Sequence, residues 1–580
     1  MNDLARPIDA FFVSRGRVLR FTGPVRVLAA RTRDEVVPCL DEMESALTRG
    51  LYAAGFIAYE AAPAFHVELV TQPPGGDLPL LWFTLYRGVE ESASLPPATP
   101  GDFSLGSWTA AVDQDAYLEA VNRIRELAAA GDTYQVNYTF PLEASFKGDA
   151  LSWFQDLYRA QHPDYAAFLD TGRFQILSVS PELFFRLEDG RLEMRPMKGT
   201  RPRGRWPEED RREAAALASS EKDKAENVMI VDLLRNDMGR ISETGSVEVP
   251  RLFELERYDT VWQMTSTITS RTAASLPAIF SALFPSGSVT GAPKIRTMQI
   301  IRELERLPRG VYCGAVGWCG PGRRAEFNVA IRTVTIDLER GVATYPVGSG
   351  VTWASAPLDE YEECLIKARV LGQRRPDFEL LESLLFDGEY FLLEEHLARL
   401  AASAEYFGFD VDVAAVRRSL LEAAGAWGGE SFPAYKVRLL VARSGSCRIE
   451  SGPAPSSQPV RVGFAMEPVD DQDVFLYHKT TWRSMYEQAR AARSDCDDVL
   501  LWNARGEITE TTVANIVLEL DGRRLTPPVC AGLLAGTLRA RLLADGEIQE
   551  SVLRKEDVRR ASAIWLINSV RKWVRGHLVE

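Results

Sequence analysis

Residues 220–237 read SEKDKAENVMIVDLLRND, and their reading decides the fold class of the larger part of the chain. Ser220 can accept a hydrogen bond at the head of a helix, and acidic residues fill the first turn, where the helix dipole favours them. A second helix is expected over 113–131, where Tyr117, Val121, Ile124 and Ala128 recur at spacings of three and four and Gly131 supplies a stop. By contrast, 175–186 (QILSVSPELFFR) and 329–336 (VAIRTVTI) are rich in β-branched and aromatic residues and predict strands. Helices mixed with strands, without regular strand–helix–strand alternation, favour an α+β fold over a doubly wound sheet.

A helix-like run over 360–371 ends at Gly372, and Pro376 disfavours helical geometry at the residue before it. Beyond it, FELLESLLFDGEYFLLEEHLARL (378–400) reads as a strand, a turn at Asp387 and Gly388, a short strand and a helix. The 580 residues therefore divide near 375, into domains 1–372 and 378–580. Apolar residues at 46% and charged residues at 26% are ordinary globular composition. A net charge of −14 argues against nucleic acid as a main partner, although a local basic pocket can still hold small anions. Seven Cys without CxxC pairs and only five His argue against a disulfide scaffold, a structural zinc or a histidine-rich metal centre. With no signal-length apolar core at the N-terminus and no run of 18 apolar residues, the expectation is a soluble cytoplasmic protein with no membrane partner.

Three constellations before residue 372 look chemical. Asp223 and Glu226 on one helix, and Glu360 and Glu363 on another, are carboxylate pairs one turn apart. Two such faces opposed could hold a hard divalent cation, although the same spacing also marks a solvated face. Lys198, in RPMKGTRPRG, could be desolvated and nucleophilic, or it could be one more cation in a basic loop. The turns SGSVTGAPK (286–294), RGVYCGAVG (309–317) and VGSGV (347–351) free backbone amides that can cradle carboxylates. None fits a dinucleotide or P-loop fingerprint.

In order along the chain, YQVNYTFPL, SVSPELFFR, MKGTRPRG, EKDKAENVMIVDLLRNDMGR, SGSVTGAPK, RGVYCGAVGW, FNVAIRT and DEYEECLIKA resemble the chorismate-utilising family over about residues 110 to 370. The resemblance implies a large α+β sandwich around one deep site. It implies Mg²⁺ on Glu226 and Glu363, with Asp223 and Glu360 behind them. Arg332 with the backbone of Gly348 and Gly350 is similar to the pocket for the enolpyruvyl carboxylate, Thr290 and Tyr312 to further substrate contacts, and Lys367 to the basic residue near the ring carboxylate. Anthranilate synthases carry Ala in a P-I-A-G-T segment, and the aminodeoxychorismate branch carries P-I-K-G-T. Here the segment is Pro196-Met197-Lys198-Gly199-Thr200. The resemblance then implies attack of Lys198 on C2 of chorismate, loss of the C4 hydroxyl, and addition of ammonia at C4 with departure of the lysine. Many relatives have His where this chain has Gln263, which cannot serve as a general acid at neutral pH, so that proton must come from elsewhere. No GxCxGxQ elbow or Cys-His-Glu set is visible, so nitrogen from glutamine would need a separate glutamine amidotransferase subunit, with free ammonia as the fallback.

In the second domain Lys479 lies in YHKTTWRSMYEQAR, where a strand is expected to give way to a helix, and Glu510 lies in GEITETTVANIVLEL at a turn-to-strand junction. A lysine with an acidic partner for a pyridinium nitrogen is how proteins hold pyridoxal phosphate, although a lone Lys–Glu pair is ordinarily a surface ion pair. EEHLARL, HKTTWR, GEITETTVANI, GLLAGTLRARLL and WLINSVR together resemble fold-type IV pyridoxal-phosphate enzymes, a two-part α/β fold. That group includes aminodeoxychorismate lyase and the branched-chain and D-amino acid aminotransferases. The resemblance makes Lys479 the cofactor lysine, Glu510 the pyridinium partner, and Arg399 with the amides of Thr537 and Leu538 the phosphate cup. It makes His396 a residue that fixes the loop, and Arg483 a contact for a substrate carboxylate. Lyases often have Asn-Arg where this chain has Trp482-Arg483. Together the halves imply chorismate plus ammonia to 4-aminobenzoate plus pyruvate, for folate supply. An aminotransferase second half, or anthranilate synthesis by the first, are the alternatives. By analogy with fold-type IV enzymes a homodimer is expected.

Overall fold

The computed structural model describes residues 10–92, 95–96, 102–372, 376–425 and 434–579. They form two compact units, one of Met1–Pro202 with Ala214–Arg375 and one of Arg203–Glu213 with Pro376–Glu580. The sequence reading leaves 203–213 with the first domain, whereas compactness groups them with the second; 373–375 lie outside the described residues.

In the first unit α1 (Gln114–Ala129) is capped by Asp113, whose carboxylate accepts the Ala116 N–H at 2.8 Å, and it buries Tyr117, Val121 and Ile124 as the periodicity requires. After β1 (Gln135–Gly148), the single strand expected over 175–186 is two, β2 (Phe174–Ser180) and β3 (Leu183–Glu188). Pro181 has no N–H to give a ladder, and the break leaves Glu182 buried at the bend. β4 (Met197–Pro202) carries Lys198, and α2 (Glu221–Gly239) begins where Ser220 accepts the Asp223 N–H. β5 (Val261–Arg271) follows. The strand expected over 329–336 also divides, into β6 (Arg324–Val329) and β7 (Thr333–Asp337), because Arg332 between them takes a left-handed backbone, φ 48°. β8 (Val342–Val351) precedes α3 (Pro357–Ala368), whose expected last turn tightens into a 3-10 turn over Arg369–Leu371.

These strands belong to one 19-stranded sheet in which the described pairings are antiparallel. β8 lies against β1 with Gly348 opposite Thr139 and Gly350 opposite Asn137. The approach is too close for a side chain: a Cβ on Gly348 would stand 2.6 Å from the Thr139 methyl. Helices α1 and α3 pack together over β8, burying Cys364 beside Tyr117 and Val347.

The second unit opens with β9 (Leu380–Phe386) and a turn in which Gly388 takes φ 79°. The short strand expected next is only a bridge between Phe386 and Tyr390, since α4 (Leu393–Phe407) starts three residues later. β10 (Tyr435–Val441) and β11 (Cys447–Pro453) complete a three-stranded sheet with β9. Then come α5 (Ser484–Ala491), β12 (Ile508–Thr511), β13 (Asn515–Leu520), α6 (Thr537–Ala544), β14 (Ala563–Asn568) and β15 (Lys572–Leu578), whose strands join an eight-stranded mixed sheet. Lys479 is not at a strand end as expected. It sits in irregular chain just before α5, stitched to β9 by the Leu381 N–H on its carbonyl (3.0 Å) and the Thr481 N–H on that of Glu379 (2.9 Å). Among the described residues no helix is long and apolar enough to cross a membrane.

Candidate active sites

Lys198 is the hub of the first site. Gly199, at φ 89°, lets β4 lie directly on α2, where a Cβ would meet Asp223 at 2.9 Å. Gln263 on β5 clamps the same strand, donating to the Gly199 carbonyl (2.9 Å) and accepting from the Thr200 hydroxyl (2.8 Å). Its side-chain amide is thus spent on holding β4. Burial lowers the pKa of the Lys198 amine, and Glu226, Glu182 and Glu363 offset this only in part. Its Nζ lies 3.1 Å from where a Gly350 Cβ would stand, next to the Gln135 amide. Gln135 donates to the Gly350 carbonyl at 3.3 Å, and its buried Oε1 has no partner among the described residues.

Around this amine the structure gathers Glu226 and Asp223 from α2, Glu360, Glu363 and Lys367 from α3, and Gly348 and Gly350 from β8. Burial, together with the like charges of Asp223 and Glu360, holds the Glu226 carboxyl above its ordinary value despite Lys198 and Lys222. Burial also works to raise Glu363, but Lys367 at 2.6 Å, with Lys198 and Lys222, brings it below the usual range. Lys367 also donates to the Gly348 carbonyl at 2.9 Å. The donors on the facing helices are all carboxylate oxygens, the set a hard divalent cation takes, and their mutual crowding is what such an ion relieves. Among the described residues no three acidic, His or Cys groups gather closely enough to enclose an ion, so substrate oxygens and water would have to fill most of its positions.

The remaining expected contacts connect to these groups only through shared neighbours. Arg332 is half-buried, donates to Gln161 Oε1 at 2.6 Å, and has no carboxylate partner among the described residues; burial lowers its pKa. Tyr345 couples to both Arg332 and Tyr312, and its hydroxyl reaches the Lys367 carbonyl at 3.2 Å. Burial pushes the Tyr312 hydroxyl far above its ordinary value. Thr290 spends its hydroxyl on the Ser286 carbonyl (3.1 Å), fixing the turn whose Ser288 bonds Glu182. Glu182 is one residue that sequence reasoning misses: it is 3% exposed, and burial raises its carboxyl to about 7, within the field of Lys198. A cavity of about 1200 Å³ elsewhere in this unit holds none of these groups. There the buried Glu60 carboxylate is already spent on the N–H groups of Arg309 and Gly310.

The second site is a cavity of about 580 Å³ lined by Lys479, Glu510, Arg399, Arg483, Thr537 and Leu538. Burial, reinforced by Arg399 and Arg483 and opposed by Glu382 and Glu510, brings the Lys479 amine down to about 8. Glu510 on β12 is raised by burial to about 7; it accepts the Tyr486 hydroxyl (2.9 Å), the Asn515 amide (3.1 Å) and the Leu534 N–H (3.2 Å). Thr537 and Leu538 open α6, where first-turn N–H groups have no partner within the helix. Gly536 before them leaves the room that a Cβ would take, 2.0 Å from Asn515 Oδ1.

Arg399 is aimed by a carboxylate that the sequence reading does not single out. Glu382, on β9, receives two hydrogen bonds from Arg399 (2.9 and 2.6 Å) and one from His396 (2.6 Å). Burial alone would raise Glu382, but Arg399 and His396 override it and hold the carboxyl at about 2. The other nitrogen of His396 reaches the Thr537 hydroxyl at 3.3 Å, so His396 fixes the cup. Arg483 lies 4.7 Å from the Tyr486 ring and donates to the Thr512 carbonyl. A lysine opposite a buried acid, with amide donors and an arginine at the far end, fits a phosphorylated pyridine cofactor.

Residues 13–373 match the chorismate binding enzyme family, and 378–579 match amino-transferase class IV. An aminodeoxychorismate synthase of Streptomyces griseus is 45% identical over 306 residues, 51% of this chain and 41% of that protein. Aminodeoxychorismate synthase component 1 of Salmonella typhimurium is 42% identical over 289 residues, 49% of this chain and 61% of that protein. The chain thus spans about half the length of these curated relatives. Anthranilate synthase component I from Streptococcus pneumoniae TIGR4 superposes with a TM-score of 0.54 at 25% identity, covering 64% of this chain and 94% of that one.

Proposed function

The chain belongs to the chorismate binding enzyme family, with an amino-transferase class IV unit behind it, and from that premise we propose a bifunctional route to 4-aminobenzoate. In the first site chorismate and ammonia give 4-amino-4-deoxychorismate and water. In the second, that product gives 4-aminobenzoate and pyruvate. The observation that carries this reading is Lys198, a buried amine of lowered pKa where an ortho-aminating relative would have alanine.

Neutral Lys198 attacks C2 of chorismate, the ring double bonds shift, and the C4 hydroxyl leaves. Glu182, poised near 7, can donate the proton that makes it leave as water. Ammonia then bonds to C4, the double bonds return, and the C2–Nζ bond breaks, restoring the lysine. Arg332, without a carboxylate partner among the described residues, suits the enolpyruvyl carboxylate, for which the backbone of Gly348 and Gly350 would supply further contacts, and Tyr312 and Thr290 would shape the pocket. Mg²⁺ on Glu226 and Glu363, backed by Asp223 and Glu360, would offset the charge of the ring carboxylate. A separate glutamine amidotransferase supplying ammonia is the partner this reading implies, as the "component 1" of related names suggests.

Pyridoxal phosphate, when bound, supplies an electron sink next to the amine-bearing carbon. Lys479 would hold it and later take the proton from C4 of the substrate. Glu510 would keep a proton on the ring nitrogen, and Arg399, Thr537 and Leu538 would grip the phosphate. Loss of the C4 proton allows the C3–oxygen bond to break, and aromatisation drives pyruvate away.

The test is product analysis by mass spectrometry from chorismate, ammonium and magnesium, with pyridoxal phosphate added and no 2-oxoacid. 4-Aminobenzoate and pyruvate in equal amounts are expected. Accumulated aminodeoxychorismate would overturn the lyase half in favour of an aminotransferase. Anthranilate would overturn the first half.

A further inference from the structure

The mouth of the second cavity is crowded with cations, most of them without a carboxylate partner among the described residues. Side chains alternate along β10, so buried Val437 and Leu439 face the core while Lys436 and Arg438 take the other face. Arg571 stands in the turn between β14 and β15, where Asn568 Oδ1 accepts the N–H groups of Val570 (3.0 Å) and Arg571 (2.8 Å) and fixes its backbone. Arg483 follows Lys479 by four residues. All four cations line the cavity that holds Lys479 and Glu510. Arg438 is paired with Glu450 at 3.0 Å, but Lys436, Arg483 and Arg571 have no carboxylate partner among the described residues. Lys436 is half-buried, and burial together with Arg438, Arg571 and Arg483 depresses its pKa, as expected of an amine with cations for neighbours and no counter-ion.

The acids that line the same cavity are engaged elsewhere: Glu510 accepts from Tyr486, Asn515 and Leu534, Asp498 from Thr512, and Asp497 pairs with Arg461. Three cations without a close carboxylate therefore repel one another and favour anionic charge between them. The cofactor phosphate does not supply it, because Arg399 and the amides of Thr537 and Leu538 already account for that group at the α6 end. One carboxylate, all that a simple amino acid carries, leaves two of the three cations unanswered. We propose that Lys436, Arg483 and Arg571 form a two-carboxylate recognition site, with Lys436 and Arg571 taking the carboxylate that a neutral amino acid lacks. The cavity therefore selects dianionic amines over monoanionic ones. The inference deepens the lyase reading and rests on it for the identity of the natural substrate, whose ring and enolpyruvyl carboxylates would be the two anions.

The test uses the full chain loaded with pyridoxal phosphate and two amine-free probes, isophthalate (a dianion) and benzoate (a monoanion), titrated against the cofactor absorbance. Wild type should bind isophthalate at least tenfold more tightly than benzoate. Arg571→Ala and Lys436→Gln should each remove most of that preference while benzoate binding stays within twofold, and Arg571→Lys should restore much of it. In turnover, Arg571→Ala should raise KM for supplied aminodeoxychorismate about thirtyfold with kcat within threefold. Equal affinity of wild type for both probes, or equal weakening of both in the variants, overturns the inference. If wild type prefers the dianion but forms no 4-aminobenzoate from the supplied intermediate, the lyase reading fails and the two-carboxylate site stands.

Discussion

Lys198 and Lys479 are both buried amines whose pKa burial lowers, yet the balance of charge around them differs: carboxylates predominate at Lys198, with Lys367 opposing them, whereas Arg399 is the largest charged influence on Lys479, with Glu382 and Glu510 opposing it. Carboxylates surround Lys198, and three of them work to keep its proton on. Lys479 faces Arg399 and Arg483, which help burial to remove it, so its amine comes down to about 8. The difference matches the two tasks. In the proposed route the first lysine attacks a dianionic ring beside a cation site, where acids would serve as ligands and proton donors. In the same route the second stays free to bond an aldehyde, in a site proposed to hold phosphate and carboxylates.

Exchanging which amine is lost should break the comparison most sharply. Lys198→Ala should cut formation of aminodeoxychorismate about ten-thousandfold, the scale of losing a nucleophile, with lyase turnover on supplied intermediate unchanged. Parallel loss of both activities would mean the lysines do not act independently.

Removing the acid of the first site comes next. Glu182→Gln should lower kcat for the synthase step by about a hundred- to ten-thousandfold and flatten the limb of its pH profile near 7, with little change in KM. An unchanged limb would assign that proton to another group.

The buried ion cluster of the second unit sharpens the contrast in a different way. Breaking one partner out of such a cluster costs about 3–5 kcal/mol, so Glu382→Gln should lower the unfolding midpoint and weaken pyridoxal phosphate more than pyridoxal, measured by fluorescence. Its carboxyl is held below its ordinary value, so its contribution is complete above about pH 4.5 and fades as pH falls toward about 2. Equal weakening of both cofactor forms would deny Glu382 any role in aiming Arg399.

The smallest effect concerns the cations beside Lys479. Capture of pyridoxal phosphate by the cofactor-free protein should quicken as pH rises through about 8, since only the neutral amine reacts, and then level off. Arg483→Ala removes a neighbouring charge and should move that limb upward by a fraction of a pH unit. A stationary limb would leave burial and Arg399 as the causes.

Much of this is legible in the sequence where the signal is local. The α2 cap at Ser220, the period of α1 and the segments around Lys198 and Lys479 are read within a few neighbouring residues. The two divided strands are not, because Pro181 and the left-handed Arg332 interrupt runs whose β-branched composition reads as continuous. Glu182, Gln135 and Glu382 escape for a further reason. Each sits in an apolar or strand-like stretch and gains its chemistry only from residues that folding brings to it. Glu382 depends on Arg399 and His396 of α4, Gln135 on the Gly350 carbonyl of β8, and Glu182 on Ser288 and Lys198. No pattern within a few residues of these three carries that information.

The central claim is that two lysines act in succession on one carbon skeleton, and Lys479→Ala tests it most directly. Supplied with chorismate, ammonium and magnesium, that variant should accumulate 4-amino-4-deoxychorismate at the wild-type rate and release neither 4-aminobenzoate nor pyruvate, as read by mass spectrometry. Continued release of 4-aminobenzoate, or anthranilate in its place, would contradict the account.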